Sequence, residues 1–130
     1  MKNNVDVIRE KWADGQVAIG TGITFSDSSI IELLGEAGLD LVFIDLEHGS
    51  LSLETAKTHV MVARGAGLAA FIRVASFDPV VIKPVIDLHP AAIVVPSPNT
   101  WARELGTPRL SLIRGISLIK RITPAGIVQL

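Results

Sequence analysis

A dense group of polar residues, the segment Asp-Leu-Glu-His-Gly at residues 45–49, follows directly on the apolar run at residues 41–44. Carboxylates and imidazoles are the groups that proteins use to transfer protons and to bind cations. Residues two apart on a strand share a face, so Asp45 and Glu47 are expected to point the same way, with His48 just past the strand end. The alternative interpretation is an ordinary strand exit whose acids are solvated.

Arg73 is the second candidate, because it lies near the end of another apolar run, at residues 68–74. A charge in such a run is costly unless it meets a partner or a ligand. The planar guanidinium suits the recognition of a carboxylate or a carbonyl oxygen, and this is the functional interpretation of Arg73. A structural ion pair with Asp45 or Asp78 is the open alternative.

The remaining candidate residues carry less specific signals. Gly49 lets the backbone turn away sharply after His48. Asp87 closes a predicted helix and could orient the histidine of a neighbouring chain, although a solvated helix end is the commoner role. His59 is predicted to lie on a helix surface, and His89 in a structural turn. The sequence contains no Gly-x-Ser-x-Gly, His-Glu-x-x-His or Walker motif.

Strands and helices alternate around these residues. A short first helix is predicted over residues 5–14, and apolar runs predict strands at residues 16–24, 41–44, 68–74 and 91–95. Capping residues begin the helices between the strands, at Ser26 or Asp27, at Ser52 and at Asp78. This order predicts a parallel sheet with right-handed crossovers. Sites in such folds lie at the carboxyl ends of the strands, where residues 45–49 and Arg73 are expected to meet.

Two architectures are compatible with this order. One is the first half of a (β/α)₈ barrel, a fold of about 250 residues. The other is a small doubly wound sheet of the flavodoxin type, a binding module of about five strands. The residues after Pro96 show no clear fifth strand and no regular period, which disfavours the second architecture.

Composition and charge narrow the class of protein. The 130 residues suit one domain, and the absence of cysteine excludes disulfides and thiolate metal sites. Without a signal peptide or an apolar run long enough for a bilayer, a cytoplasmic protein with no membrane contact is expected. Residues 1–100 hold seven basic and twelve acidic side chains, whereas residues 101–130 hold five and one. No aromatic residue interleaves with these bases after Trp101, so no nucleic-acid binding is expected.

Six motifs follow one another in the first 100 residues. They lie at residues 32–40, 43–49, 63–67, 72–74, 78–83 and 93–96. In this order and at these separations they resemble the HpcH/HpaI aldolase family, over residues 6–100. The resemblance divides the chain into residues 1–100, which would form the N-terminal half of a pyruvate-aldolase TIM barrel with about four βα units, and residues 101–130, a divergent and irregular basic tail.

The resemblance implies a class II pyruvate aldolase, a carbon–carbon lyase that cleaves 4-hydroxy-2-oxo acids by retro-aldol chemistry. By the family's pattern, His48 would be the catalytic base and Asp45 would orient it. Arg73 would hold the ketone oxygen and stabilise the developing enolate. Asp87 would be a supporting acid, and Glu47 would lie near the water shell of the metal. A small 2-oxo acid would be the ligand, and a homo-oligomer is expected.

The same resemblance implies a divalent Mg, Mn or Co ion that chelates the substrate. The family's two carboxylate ligands would lie on the next barrel strands, which this chain does not match, and no acid follows Glu104. No metal ligand is therefore assigned, and Glu47, Gly49 and Arg73 are the substrate-binding candidates. The competing function is a non-catalytic, truncated half barrel, which would act only as a fragment or as an association module through its open edge strands.

Overall fold

The computed structural model of the chain describes residues 4–76, 78–95 and 127–129. They form one parallel sheet with helices before and between its first four strands. No described helix has the length and the apolar character that a membrane crossing requires. The elements in chain order are α1 (Val5–Ala13), β1 (Gly20–Ile23), α2 (Ser29–Glu36), β2 (Leu41–Asp45), α3 (Leu53–Gly65), β3 (Ala69–Arg73), α4 (Pro79–Ile86), β4 (Ala92–Val95) and β5 (Ile127–Gln129).

The strand order in the sheet is the order in the chain, from β1 to β5, and every strand pair is parallel. Right-handed crossovers that always advance in one direction place their helices on the same face, as in a barrel. This arrangement confirms the α/β class and the partial (β/α)₈ barrel. It excludes the flavodoxin order, in which the chain reverses direction across the sheet.

The two faces of the sheet have different apolar partners. On the outer face, Ile44 and Ile72 pack among buried residues of α2, α3 and α4. On the inner face, Phe71 packs against α1. Side chains alternate along a strand, so Asp45 and Arg73, each next to an outward-facing residue, belong to the inner face. The fold therefore directs both charged side chains toward the interior of the partial barrel.

Capping residues begin the helices that follow the site strands. The Ser52 hydroxyl accepts a hydrogen bond from the Thr55 N–H at 3.1 Å, at the start of α3. The Asp78 carboxylate accepts one from the Val80 N–H at 2.8 Å, at the start of α4. These bonds satisfy N–H groups that have no partner within the helix, and the predicted caps Ser52 and Asp78 are confirmed. The prediction for α2 is wrong, because its N-cap is Ser28 rather than Ser26 or Asp27.

Two expectations about strands need correction. The first strand is Gly20–Ile23 rather than residues 16–24, because the Ile19 N–H donates to the Asp40 carboxylate at 2.8 Å instead of to a neighbouring strand. The tail, in which no clear fifth strand was expected, contributes β5 beside β4. Three residues are too few for a strand period to stand out in a sequence. The predicted boundary between residues 100 and 101 lies outside the described residues.

Candidate active site

An ion pair joins the last residues of β2 and β3. The sheet register pairs Asp45 with Arg73, and side chains at paired positions project from the same face. Arg73 Nε donates to Asp45 Oδ1 at 2.9 Å, and Arg73 Nη2 contacts the second carboxylate oxygen. This contact lowers the pKa of Asp45 to about 2 and raises the pKa of Arg73. The partner of Arg73 is therefore Asp45, whereas Asp78 caps α4.

The turn after β2 folds around the same carboxylate. Asp45 Oδ1 accepts hydrogen bonds from the N–H groups of Glu47 and His48, at 2.9 and 3.2 Å. Gly49 approaches the backbone so closely that a Cβ atom there would lie 2.6 Å from the Asp45 carbonyl oxygen. Any other residue at position 49 would push the turn away from the strand. Asp45 thus positions both the guanidinium and the turn that carries the histidine.

Glu47 and His48 join Asp45 and Arg73 in a cluster of four side chains. His48 Nδ1 lies 2.8 Å from Arg73 Nη2, and Glu47 Oε2 lies 3.2 Å from Arg73 Nε. An arginine N–H can only donate, so His48 Nδ1 accepts and the ring proton of the neutral imidazole is on Nε2. The His48 side chain is 69% exposed, whereas that of Asp45 is 13% exposed. The cluster is therefore open to solvent at His48 and largely shielded from it at Asp45.

Phe43, which is not among the site residues predicted from the sequence, also contacts the guanidinium. Arg73 Cζ lies 5.6 Å from the centroid of the Phe43 ring, within the range of a cation–π interaction. Phe43 lies two residues before Asp45 and so on the same face of β2, which is the signal that could have identified it. Contacts to the ring and to two carboxylates together fix the orientation of the guanidinium.

Asp87 does not join this cluster within the chain. It follows α4, which begins beside the carboxyl end of β3 and runs back toward the edge where β4 begins. Its backbone carbonyl oxygen lies 2.9 Å from His89 Nδ1. Asp87 therefore lies toward the end of the sheet at which the strands begin, opposite the end that carries the cluster. Its action on the base of a neighbouring chain stays a prediction.

The prediction that His59 lies on a helix surface is wrong. His59 is completely buried on α3, and its Nε2 donates to the Phe25 carbonyl oxygen at 2.8 Å. The hydrogen bond ties the β1–α2 loop to α3. His59 follows Ala56 by three residues and precedes Ala63 by four, and both alanines are buried. That helical spacing is the signal in the sequence that indicates burial of His59.

Asp45, Glu47 and His48 also form a group that could offer ligands to a cation, because their donor atoms lie within 4.8 Å of one another. Carboxylate oxygens and imidazole nitrogens suit divalent ions. Both oxygens of Asp45 and one oxygen of Glu47, however, contact Arg73. A cation would have to displace the guanidinium, so these donors do not fit a resident metal ion while Arg73 holds them.

Replacement of Arg73 by alanine is expected to create a cation site. Arg73→Ala leaves two carboxylates close together without their cationic partner, and a divalent ion then offsets their repulsion. In thermal denaturation, millimolar Mn²⁺ should therefore raise the Tm of Arg73→Ala more than the Tm of the parent chain. Equal shifts in the two proteins would mean that the guanidinium does not exclude the ion.

The low pKa of Asp45 predicts a pH-dependent contribution to folding. The pKa falls from 3.8 to about 2 on folding, so the carboxylate stabilises the fold above about pH 4 and loses this effect as the pH falls toward 2. The full effect is roughly 2 kcal/mol of unfolding free energy, about half of it lost by about pH 3. Urea unfolding should show a larger loss between neutral and acidic pH in the parent chain than in Asp45→Asn. Parallel losses would argue against the ion pair.

Sequence comparison relates the chain to a known family. The family described as HpcH/HpaI aldolase/citrate lyase matches residues 23–104. The chain is 31% identical to 5-keto-4-deoxy-D-glucarate aldolase of Escherichia coli (strain ATCC 8739), over 96% of this chain and 52% of that enzyme. It is 30% identical to the enzyme of the same name from Salmonella paratyphi A, over 87% and 46%. The chain thus spans about half the length of these curated relatives.

Solved structures show the same fold. The HpcH/HpaI aldolase from Desulfitobacterium hafniense superimposes with a TM-score of 0.62 at 24% identity, over 68% of this chain and 34% of that one. The citrate synthase SbnG gives a TM-score of 0.64 at 27% identity, over 69% and 37%. Each likeness covers about a third of the larger protein, as expected for a partial barrel.

Proposed function

The chain belongs to the HpcH/HpaI aldolase/citrate lyase family, and from this membership we propose that it carries the base and the enolate-binding arginine of a pyruvate aldolase. The proposed reaction is the cleavage of a 4-hydroxy-2-oxo acid into pyruvate and an aldehyde. The observation that carries the proposal is the cluster at the carboxyl edge of the sheet, with His48 Nδ1 2.8 Å from Arg73 Nη2. The relatives' names support the substrate class, because 5-keto-4-deoxy-D-glucarate is a 4-hydroxy-2-oxo acid when counted from its keto end.

The reaction gives the side chains two tasks. A base takes the proton of the C4 hydroxyl while the C4 oxygen becomes a carbonyl and the C3–C4 bond breaks. The electron pair of that bond passes into an enolate, whose oxygen needs a positively charged donor until a proton at C3 completes pyruvate. His48 is the proposed base and Arg73 the proposed donor, and Asp45 positions both of them.

Arg73 changes partners when the substrate binds. In the structure its Nη2 donates to the lone pair of His48 Nδ1. A 2-oxo acid that accepts from Nη2 releases this lone pair, and Nδ1 can then carry the ring proton toward Glu47 Oε2, which lies 3.5 Å away. Nε2 is then left unprotonated and, on a side chain that is open to solvent, can act as the base. Glu47 is thus proposed to fix the reactive tautomer of His48.

A divalent ion, which the family resemblance implies, would add an electron sink for the enolate. Asp45 and Glu47 pair with Arg73, so a metal requirement would call for ligands other than this cluster. We also propose a homo-oligomer, in which Asp87 of one chain lies near His48 of another.

Association without catalysis is the second candidate function. Among the described strands, β1 pairs only with β2. Val17 and Ile19, just before β1, are 72% and 63% exposed. An edge strand beside exposed apolar residues is a template for another chain. This function predicts a concentration-dependent oligomer that binds no 2-oxo acid.

Oxalate, a planar dianion that resembles the enolate of pyruvate, tests the proposed function without knowledge of the aldehyde. In ¹⁵N NMR, His48 should carry its proton on Nε2 before oxalate is added and on Nδ1 afterwards, because oxalate takes the guanidinium. Arg73→Gln, which lacks the cation, should bind oxalate weakly and show no such change. If the parent chain is folded and its His48 resonances do not change when oxalate is added, the proposal is contradicted and the association function is favoured.

A further inference from the structure

A cavity of about 480 Å³ lies between the β1–α2 loop and the β2–α3 loop. Thr24 follows the last residue of β1, and Ser50 comes two residues after His48. Because Ile23 pairs with Ile44 in parallel strands, both loops leave the sheet at the edge that carries the ion pair. Two residues of chain span at most about 7 Å, so the cavity borders the turn that carries the histidine.

Five of the eight residues that line the cavity are serine or threonine. The fold uses two of them, because the Ser52 hydroxyl accepts from the Thr55 N–H and lies 3.0 Å from the Thr55 hydroxyl. The hydroxyls of Thr24, Ser26 and Ser50 make no hydrogen bond to any residue that the structure describes. These three groups can exchange hydrogen bonds with the hydroxyls of a ligand.

Asp27 is the one ionic side chain among the lining residues. Its Oδ1 accepts hydrogen bonds from the Ser29 N–H at 2.9 Å and from the Ser29 hydroxyl at 2.8 Å, and these bonds lower the pKa of Asp27. The side chain is therefore a carboxylate at neutral pH. No lysine or arginine of the described part lines the cavity to balance a second negative charge, so an anionic ligand group is disfavoured there.

The β1–α2 loop, which forms one wall of the cavity, is anchored to α3 by a hydrogen bond. Phe25 belongs to that wall, and its carbonyl oxygen accepts from the buried Nε2 of His59 at 2.8 Å. The hydrogen bond couples the position of the loop to the packing of α3. A wall held in this way presents its hydroxyls without first being ordered by the ligand, which lowers the cost of binding.

We propose that this cavity binds the aldehyde half of the substrate and prefers an uncharged chain bearing hydroxyl groups to one that ends in a carboxylate. The inference rests on the proposed aldolase function and defines its specificity. The volume is within the usual range for small-molecule sites and admits a three-carbon hydroxylated fragment. The chain should therefore favour a six-carbon 2-oxo-3-deoxy sugar monoacid over the diacid 5-keto-4-deoxy-D-glucarate, the compound in the names of its relatives.

Pyruvate release from the monoacid and from the diacid tests the inference. The kcat/KM of the parent chain should be higher for the monoacid. Thr24→Val removes one lining hydroxyl at nearly constant shape, so the ratio of kcat/KM between the monoacid and 4-hydroxy-2-oxopentanoate, which lacks further hydroxyls, should fall about tenfold. Thr58→Val, the same substitution on an exposed face of α3, should leave that ratio unchanged. Asp27→Asn should shift the preference toward the diacid by roughly two- to fivefold.

The outcomes distinguish a failure of the aldolase function from a failure of the proposed specificity. Pyruvate from none of the substrates would overturn the proposed function and this inference with it. Pyruvate release with a preference for the diacid would leave the aldolase function in place and overturn the inference. A ratio that Thr24→Val and Thr58→Val change equally would do the same, because the effect would not come from the cavity.

Discussion

His48→Ala should lower kcat for pyruvate release by at least about 10²-fold, the usual loss when a general base is removed. The His48 imidazole is the most exposed side chain of the cluster, at 69%, whereas those of Asp45 and Glu47 are 13% and 22% exposed, so it is the basic group that a substrate reaches most readily. When a 2-oxo acid takes Nη2 from His48, the two carboxylates still form ion pairs with the guanidinium and so cannot replace the imidazole as the base. Steady-state kinetics with a 4-hydroxy-2-oxo acid measures the loss.

His89→Asn is the matched control for this variant. His89 has a positive φ of 54°, which asparagine tolerates, and it lies in the turn after α4 rather than in the cluster. It should keep the kcat of the parent chain. A His48→Ala protein as active as His89→Asn would show that the base is another group.

Arg73→Lys should lower kcat/KM by about 10²-fold, the loss typical of a removed donor to a developing oxyanion. The guanidinium nitrogens contact Asp45, Glu47 and His48 at once. A lysine ammonium is a point charge that cannot reproduce this planar set of contacts and also bind a 2-oxo acid. The positive charge is kept, so the loss would be due to geometry.

Arg9→Lys provides the comparison, because Arg9 forms an exposed ion pair with Asp6 at 3.3 Å on α1. Exposed pairs contribute little to stability, so this variant should match the parent chain in kcat/KM and in Tm. Circular dichroism shows whether Arg73→Lys is folded. A folded Arg73→Lys chain with the parent's kcat/KM would remove the enolate-binding role from Arg73.

Much of the site could be predicted from the sequence because it depends on local order. The apolar run before Asp45 and the run that contains Arg73 identify two neighbouring strands, and parallel strands end at the same edge. The spacing of Asp45, Glu47 and His48 then places all of them at one strand end. These features need only the period of a strand and the direction of the chain.

The remaining features depend on contacts between distant parts of the chain. The choice of Asp45 rather than Asp78 as the partner of Arg73 is set by the register of β2 against β3. The burial of His59 depends on how α3 packs against the sheet and on the position of the Phe25 carbonyl. The donor to His48 Nδ1, which determines its tautomer, lies 25 residues away along the chain. No local pattern specifies these contacts.

Pyruvate release from a 4-hydroxy-2-oxo acid, followed in the parent chain and in His48→Ala under identical conditions, tests the central claim most directly. The account predicts that the parent chain releases pyruvate and that His48→Ala, shown to be folded by circular dichroism, releases at least about 10²-fold less. A folded parent chain that releases no pyruvate, or a His48→Ala chain that releases it at the parent's rate, would contradict the account.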